Sequence, residues 1–260
     1  MRLKQETSPF ATFLMDLDKE KVSKVQDSRR NTLLHEFVKI SCEGYCNCCD
    51  AMIERIFQFD GARCANTPNY ARQLPAHLAV SRSFSQPALK VLLHTKDLNH
   101  KDGQGKSPLF RANSSETIRS LLVYDSVDLF SRNKKGQAVF SALIDDGKFY
   151  LSIEGLLPSK TLPLMQSFYQ ADKRLAWTAD ESERGLTPLH YAMNLVRIEP
   201  LSDVGASDIA AVVFLLKLPE VEQVLTAYRV KSGDSDWEWL RDFAYEKKLW
   251  NAVKIIDSFL

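Results

Sequence analysis

Short apolar segments with helical spacing alternate with polar segments that end in glycine along much of the chain. The apolar segment 89–93, Leu-Lys-Val-Leu-Leu, is followed by the polar segment 97–105. The apolar segment 118–122, Ile-Arg-Ser-Leu-Leu, is followed in the same way by 127–136. This pattern predicts a mostly helical protein built from a repeated unit, with no sheet beyond short paired turns.

One four-residue motif marks the start of each repeated unit. The complete copy is Thr-Pro-Leu-His at 187–190, and a glycine, Gly185, lies two residues before it. Partial copies start at Thr32, Leu74, Ser107 and Ala138. The five starting positions are 42, 33, 31 and 49 residues apart, so two of the steps agree and the long ones imply insertions.

The residue types of the motif suit the start of a helix. The hydroxyl of Thr187 can accept a hydrogen bond from a backbone amide that has no partner in the first turn. Pro188 fits the first helical turn, where its missing N–H group costs nothing. Leu189 is expected to face the neighbouring unit, and Gly185 permits a positive φ in the preceding turn.

With these features the chain resembles the ankyrin-repeat family, over roughly residues 27–218 and most specifically over 89–143 and 185–192. The ankyrin period is about 33 residues. The resemblance implies an all-α helical solenoid of about five to six degenerate repeats with helical caps. It also implies that the motif histidine ties its turn together by hydrogen bonds. Copies with this histidine contain His35, His77 and His190.

The resemblance and the spacing together predict three regions. An N-terminal capping helix is expected over 1–28, and ankyrin repeats over 29–218. Insertions are expected near 41–70 and 144–184, where the steps between copies are long. A C-terminal helical cap or degenerate sixth repeat is expected over 219–260, because a terminal repeat has a neighbour on one side only.

Within these regions the apolar spacing predicts further helices. Asp145-Asp146-Gly147 is expected to end the first helix of the fourth copy, and an extra helix is expected at 162–171. A strongly apolar second helix is expected at 209–218. Two amphipathic helices are expected at the end of the chain, at 236–245 and 249–256.

Composition narrows the function classes. The chain has 260 residues, of which 45% are hydrophobic and 26% charged, and the formal net charge is +1. A net charge this close to zero indicates neither binding to nucleic acid nor an acidic tail. No apolar run reaches the length of a membrane span. The first residues lack the apolar stretch of a signal peptide. We therefore expect a monomer in the cytoplasm, or in a host cell if the protein is a secreted effector.

Five cysteines raise a metal and a catalytic alternative. Those cysteines are Cys42, Cys46, Cys48, Cys49 and Cys64. Gaps of one and zero residues between the central thiols are awkward for a tetrahedral zinc site, so packing as small apolar residues is the simpler interpretation. A cysteine–histidine pair could be assembled, but no local motif for cysteine catalysis is present. We expect no metal, no cofactor and no enzymatic activity. The alternative is a catalytic effector with a cysteine-dependent active site in the insertions.

Two other features have simpler interpretations. The segment 103–107, Gly-Gln-Gly-Lys-Ser, resembles the end of a phosphate loop but lacks the four-residue gap between its glycines. Trp237, Trp239 and Trp250 are either core residues or a recognition patch. Trp237 and Trp239 are two residues apart, so they cannot both face inward on one helix.

The resemblance implies a protein–protein interaction scaffold that binds through its concave face of turns and first helices. The expected contact residues are His100, Lys101, Asp102, Gln104, Arg111, Arg132, Asn133, Lys134, Lys135, Glu183, Arg184 and Tyr191. The turns of the third and fourth copies are basic, which favours a partner with an acidic segment; the alternative is a merely solvated surface. Degenerate ankyrin repeats with insertions are similar to those of host-directed effectors of intracellular bacteria, and they also occur in eukaryotic regulators.

Overall fold

Helices form most of the described chain, which confirms the all-α prediction. The structure is a computed structural model. It describes residues 25–40, 47–60, 62–81, 86–150, 161–181, 184–197, 206–230 and 232–260. Within these ranges the β-type pairing is limited to two isolated antiparallel bridges, Gln26 with Thr32 and Arg132 with Ala138. The described chain is therefore helical, with short paired turns.

The chain divides into two compact units, Met1–Val127 and Asp128–Leu260. The α-helices of the first unit are α1 (Leu33–Ile40), α2 (Asn47–Asp60), α3 (Pro75–Val80), α4 (Gln86–His94) and α5 (Ser115–Leu122). Those of the second unit are α6 (Val139–Tyr150), α7 (Thr161–Ala171), α8 (Pro188–Arg197), α9 (Ala206–Leu216), α10 (Val221–Arg229), α11 (Asp234–Glu246) and α12 (Trp250–Asp257). Short 3-10 helices cover Cys64–Asn66, Pro108–Arg111 and Lys173–Ala176.

Each unit has a core of aliphatic and aromatic side chains supplied by one face of its helices. In the first unit, α5 begins where the Ser114 hydroxyl accepts a hydrogen bond from the amide of Thr117 at 3.2 Å. Ile118 and Leu121 of this helix are completely buried. Burial of one such side chain stabilises a fold by about 1.5–3 kcal/mol.

Two helix predictions are corrected by the structure. In the third copy the first helix is reduced to the 3-10 turn Pro108–Arg111, because Ser114 already caps the next helix and leaves room for only one turn. In the fourth copy the helix does not end at Asp145-Asp146-Gly147 but continues to Tyr150. A single glycine inside a helix costs only about 1 kcal/mol relative to alanine, so Gly147 does not stop the helix.

The second unit confirms the expected extra helix as α7. Its Met165 and Phe168 are buried, and the Tyr169 hydroxyl donates a hydrogen bond to Glu220. Lys173 also pairs with Glu220 at 2.7 Å, so this carboxylate holds the inserted segment against the start of α10. The apolar helix expected at 209–218 is α9.

The two expected terminal helices are α11 and α12. Helix α10 was not predicted from the sequence. Residues 1–24 of the expected N-terminal cap lie outside the described residues. Among the described helices, none combines the length and the apolar character that crossing a bilayer requires.

Candidate functional site: five hairpin turns

A hairpin turn of one design precedes each of the five motif copies. In every turn the residue two positions before the motif start has a positive φ, between 58° and 77°. These residues are Arg30, Arg72, Gly105, Gly136 and Gly185. Sequence analysis expected this conformation only at the glycines. The two arginines carried no sequence signal, because a residue with a Cβ atom rarely adopts a positive φ.

The same two hydrogen bonds close every turn. An aspartate or asparagine at the beginning of the turn donates its backbone N–H group to the carbonyl of the residue just before the motif. Its side-chain oxygen accepts a hydrogen bond from the N–H group of that same residue. The five pairs are Asp27 with Asn31, Asn69 with Gln73, Asp102 with Lys106, Asn133 with Gln137, and Asp180 with Leu186. The fifth turn is two residues longer, and its closure is unchanged.

The motif histidines of the first unit connect one copy to the next. The amide of Thr32 donates to His35 Nδ1 at 3.1 Å, and His35 Nε2 lies 2.9 Å from the carbonyl oxygen of Gln73 in the next turn. His77 repeats this arrangement, with the Leu74 amide at 3.1 Å and the Lys106 carbonyl at 3.2 Å. Because Nδ1 accepts in both rings, Nε2 carries the proton and donates. The predicted role of these histidines is confirmed.

His190 in the second unit has only the first of these two connections. The Thr187 amide donates to its Nδ1 at 3.1 Å, as expected. Its Nε2 atom is buried and has no hydrogen-bond partner among the described residues. The ring instead lies against Tyr228, with the ring centroids 4.3 Å apart. Tyr228 contacts Trp237, and Trp237 contacts Phe259, so aromatic rings occupy the place of a following turn.

Two degenerate copies each contain a buried serine hydroxyl that has no hydrogen-bond partner in the described chain. Ser107 has Phe110 at the histidine position, and Ala138 has Ser141 there. The hydroxyls of Ser107 and Ser141 are buried and make no hydrogen bond within the described chain. In the complete copy, by contrast, the Thr187 hydroxyl lies 2.8 Å from His190 Nδ1. Loss of the histidine therefore explains the unpaired Ser107 hydroxyl. Ser141 occupies the histidine position itself, and Ala138 at the start of its motif has no hydroxyl to pair with it.

Successive turns within a unit are hydrogen bonded to each other. In the first unit, the amide of Tyr70 donates to the Arg29 carbonyl at 3.0 Å, and that of Gly103 donates to the Ala71 carbonyl at 2.7 Å. A Cβ atom at residue 103 would lie only 3.0 Å from that carbonyl oxygen, so this approach favours glycine. The segment 103–107 is thus a turn whose backbone is already engaged, and no phosphate loop is formed.

The expected contact residues of the third copy divide into structural and exposed ones. Asp102 is buried, and its carboxylate accepts hydrogen bonds from two backbone amides and from Arg111 at 2.7 Å. Burial alone would raise the pKa of Asp102, but these hydrogen bonds hold it below its ordinary value. Gln104 also accepts from Arg111, and His100 Nε2 lies 3.0 Å from a backbone carbonyl. Lys101 is exposed.

The fourth copy shows the same division. Asn133 is buried and builds its turn. Arg132 lies 3.8 Å from Glu181, and Lys135 lies 3.4 Å from Asp145. Both cations therefore have acidic partners that could not be assigned from the sequence, because those partners are distant along the chain.

Of the residues expected from the fifth copy, Tyr191 donates its hydroxyl proton to Asp180 at 2.5 Å. Burial and this hydrogen bond raise the pKa of Tyr191 above its ordinary value. Arg184 is exposed, and Glu183 lies outside the described residues. Across the five turns, Lys101, Lys134 and Arg184 are exposed and form no ion pair within the described part of the chain.

The other candidate residues are mainly structural where they are described. Cys64 is buried and has a free thiol, and burial raises its pKa to about 12, so it is not an activated nucleophile. The cysteines at 42–49 lie outside the described side chains. Trp237 is buried, Trp239 is stacked on Phe243, and 56% of Trp250 is exposed.

The chain was also compared with known proteins, and neither protein-family models nor curated protein sequences gave a match.

Proposed function

We propose that this chain is an ankyrin-type repeat protein that binds a partner protein through its hairpin turns. The observation that carries the proposal is the fivefold recurrence of one turn, with the same closing hydrogen bonds and the same positive φ. Each turn presents side chains at its tip that the fold does not use. Repeated, rigid tips of this kind are how ankyrin-type repeats form a binding surface.

The hydrogen bonding of the turns favours binding without a large ordering cost. The side chain of each starting residue is already hydrogen bonded to the end of its turn, and further amides within the turn bond to Asp102 and Asn133. A partner therefore meets a preorganised backbone, and only the exposed tip side chains lose freedom on binding.

The charges at the tips favour a partner with acidic side chains. The cations of Arg111, Arg132 and Lys135 are paired with carboxylates of the same unit. Long-range attraction then comes mainly from the exposed cations. In or directly beside the described turns they are Arg29, Arg30, Arg72 and Lys101 in the first unit, and Lys134 and Arg184 in the second. Exposed charges of this kind affect the association rate most and act more strongly at low salt.

Affinity capture followed by calorimetry tests this proposal. The full chain is used to capture proteins from eukaryotic and bacterial lysates, and the partner is identified by mass spectrometry. Two variants are then titrated with the purified partner. One is the double variant Lys134→Glu and Arg184→Glu, and the other is Lys101→Glu. We expect at least one of these variants to bind about tenfold more weakly, with a larger loss at low salt.

Lys254→Glu is the matched control, because Lys254 is an exposed cation on α12, outside the turns. It should bind as tightly as the parent protein. Equal affinity of all the turn variants and the parent would contradict the proposal, as would the same loss in the Lys254→Glu control.

A further inference from the structure

A groove of about 440 Å³ lies in the second unit, between the residue that follows the 3-10 helix Lys173–Ala176 and one side of α10. The described residues that line it are Trp177, Glu222, Gln223, Thr226, Ala227 and Val230. None of these residues belongs to a hairpin turn. The groove is therefore a surface separate from the tips described above.

The groove combines apolar surface with one carboxylate. Trp177 is half-buried, and Val230 is 74% exposed, so both offer apolar surface to the groove. Glu222 is exposed on the same wall. Gln223 and Thr226 add neutral hydrogen-bonding groups. The described lining contains no lysine or arginine.

Among the described residues, the cations nearest to the groove along the chain already have other partners. Lys173 pairs with Glu220 at 2.7 Å, and Arg174 pairs with Asp172 at 2.6 Å. Arg229 lies over the ring of Phe259, 4.9 Å from its centroid. Glu222 has no ion pair within the described chain, and it lines the same groove as Trp177.

We propose that this groove binds an arginine side chain of a partner peptide. The aliphatic part of the arginine packs on Ala227 and Val230, its guanidinium group stacks on the Trp177 ring, and Glu222 accepts its hydrogen bonds. A planar guanidinium group suits both an aromatic face and a carboxylate, whereas lysine offers a point charge. The chemistry is opposite to that of the turn tips, which favour acidic side chains.

NMR titration tests the groove directly. The probe is the blocked heptapeptide Gly-Ser-Ala-Arg-Ala-Ser-Gly, and the signal is the indole N–H cross-peak of Trp177, assigned from its loss in Trp177→Phe. Peptides with glutamine or glutamate in place of the arginine are the ligand controls. We expect a saturable shift with the arginine peptide only, and a dissociation constant raised about threefold or more by Glu222→Gln.

Glu238→Gln provides the matched protein control, because Glu238 is an exposed glutamate of α11 outside the groove. It should leave the titration unchanged, while Trp177→Leu should weaken the arginine-dependent shifts of the neighbouring Ala227 amide. Circular dichroism verifies that each variant is folded. The proposal is overturned if the glutamine peptide gives the same shift, if no shift occurs, or if Glu238→Gln and Glu222→Gln have equal effects. These outcomes leave the role of the turns unaffected.

Discussion

His77 in the first unit and His190 in the second occupy the same place in the motif, but the structure uses them differently. Both accept a hydrogen bond at Nδ1 from the first residue of their motif. The Nε2 atom of His77 then reaches the next turn, whereas that of His190 has no partner in the described chain. His190 packs on Tyr228 instead. A motif histidine thus connects copies only where another turn supplies a carbonyl, and aromatic packing replaces that connection after the last turn.

The aromatic packing beneath His190 gives the largest expected effect. Tyr228 is only 1% exposed and contacts both His190 and Trp237. Tyr228→Ala should lower the free energy of unfolding by about 3–5 kcal/mol, because it leaves a cavity between the rings of His190 and Trp237. Urea unfolding followed by circular dichroism measures this loss. Tyr245→Ala removes a tyrosine that is 63% exposed and should cost less than about 1 kcal/mol. Similar losses in both variants would show that the aromatic packing does not stabilise the second unit.

Replacing each histidine by phenylalanine sharpens the comparison. Each change removes two hydrogen bonds. His77→Phe removes the bonds to Leu74 and to Lys106 in the next turn, whereas His190→Phe removes two bonds to Thr187 and also a buried Nε2 atom that has no partner in the described chain. We expect His77→Phe to destabilise the protein by about 1 kcal/mol more than His190→Phe. The same urea titrations provide the measurement. A larger loss for His190→Phe would mean that the hydrogen bond between copies is not what distinguishes the two positions.

Acid should lower the free energy of unfolding through the histidines of both copies. Burial lowers the pKa of His77 to about 4 and that of His190 to about 4, from an ordinary value near 6.5. Between these values the unfolded chain binds protons that the folded chain does not, so stability is complete above pH 6.5 and declines as the pH falls towards 4. Urea midpoints measured across this window should fall for the parent protein. They should fall less for the variant with both His77→Phe and His190→Phe; an equally steep decline would assign the acid sensitivity to other groups.

The degenerate copies give the smallest expected effects. Ser107→Ala and Ser141→Ala should change stability by no more than about 0.5 kcal/mol, since each removes a buried hydroxyl that has no partner in the described chain. Thr187→Val removes a hydroxyl that is bonded to His190, and it should cost about 1 kcal/mol. Thermal unfolding compares the three variants. A loss of about 1 kcal/mol in either alanine variant would show that its hydroxyl is hydrogen bonded in solution.

The sequence predicted those parts of the structure that depend on local residue types. The motif starts, the inserted helix α7 and the terminal helices α11 and α12 follow from apolar spacing and from Thr, Pro and Gly preferences. The positive φ of Arg30 and Arg72 could not be predicted, because the hydrogen bonds that close each turn impose a conformation that arginine itself disfavours. A local pattern also does not show which turn side chains are buried. It therefore could not distinguish a residue that closes the turn, such as Asp102, from a contact residue.

The candidate contact residues were identified less well than the helices. From the sequence, a basic side chain at a turn is expected to be free to bind a partner protein. In the fold it pairs with an acidic side chain from another part of the chain. Arg132 and Glu181, for example, are separated by most of the inserted segment. Only tertiary packing distinguishes such paired cations from exposed ones such as Lys101 and Lys134.

Site-specific photocross-linking to the captured partner tests the proposed binding role most directly. A photoreactive amino acid is placed at the exposed positions of Lys134 and Arg184, at the tips of two turns, and at that of Lys254 on α12. The proposed function predicts cross-linked partner from one or both of the turn positions and none from the position of Lys254. Cross-linking from the position of Lys254 alone would contradict binding through the hairpin turns.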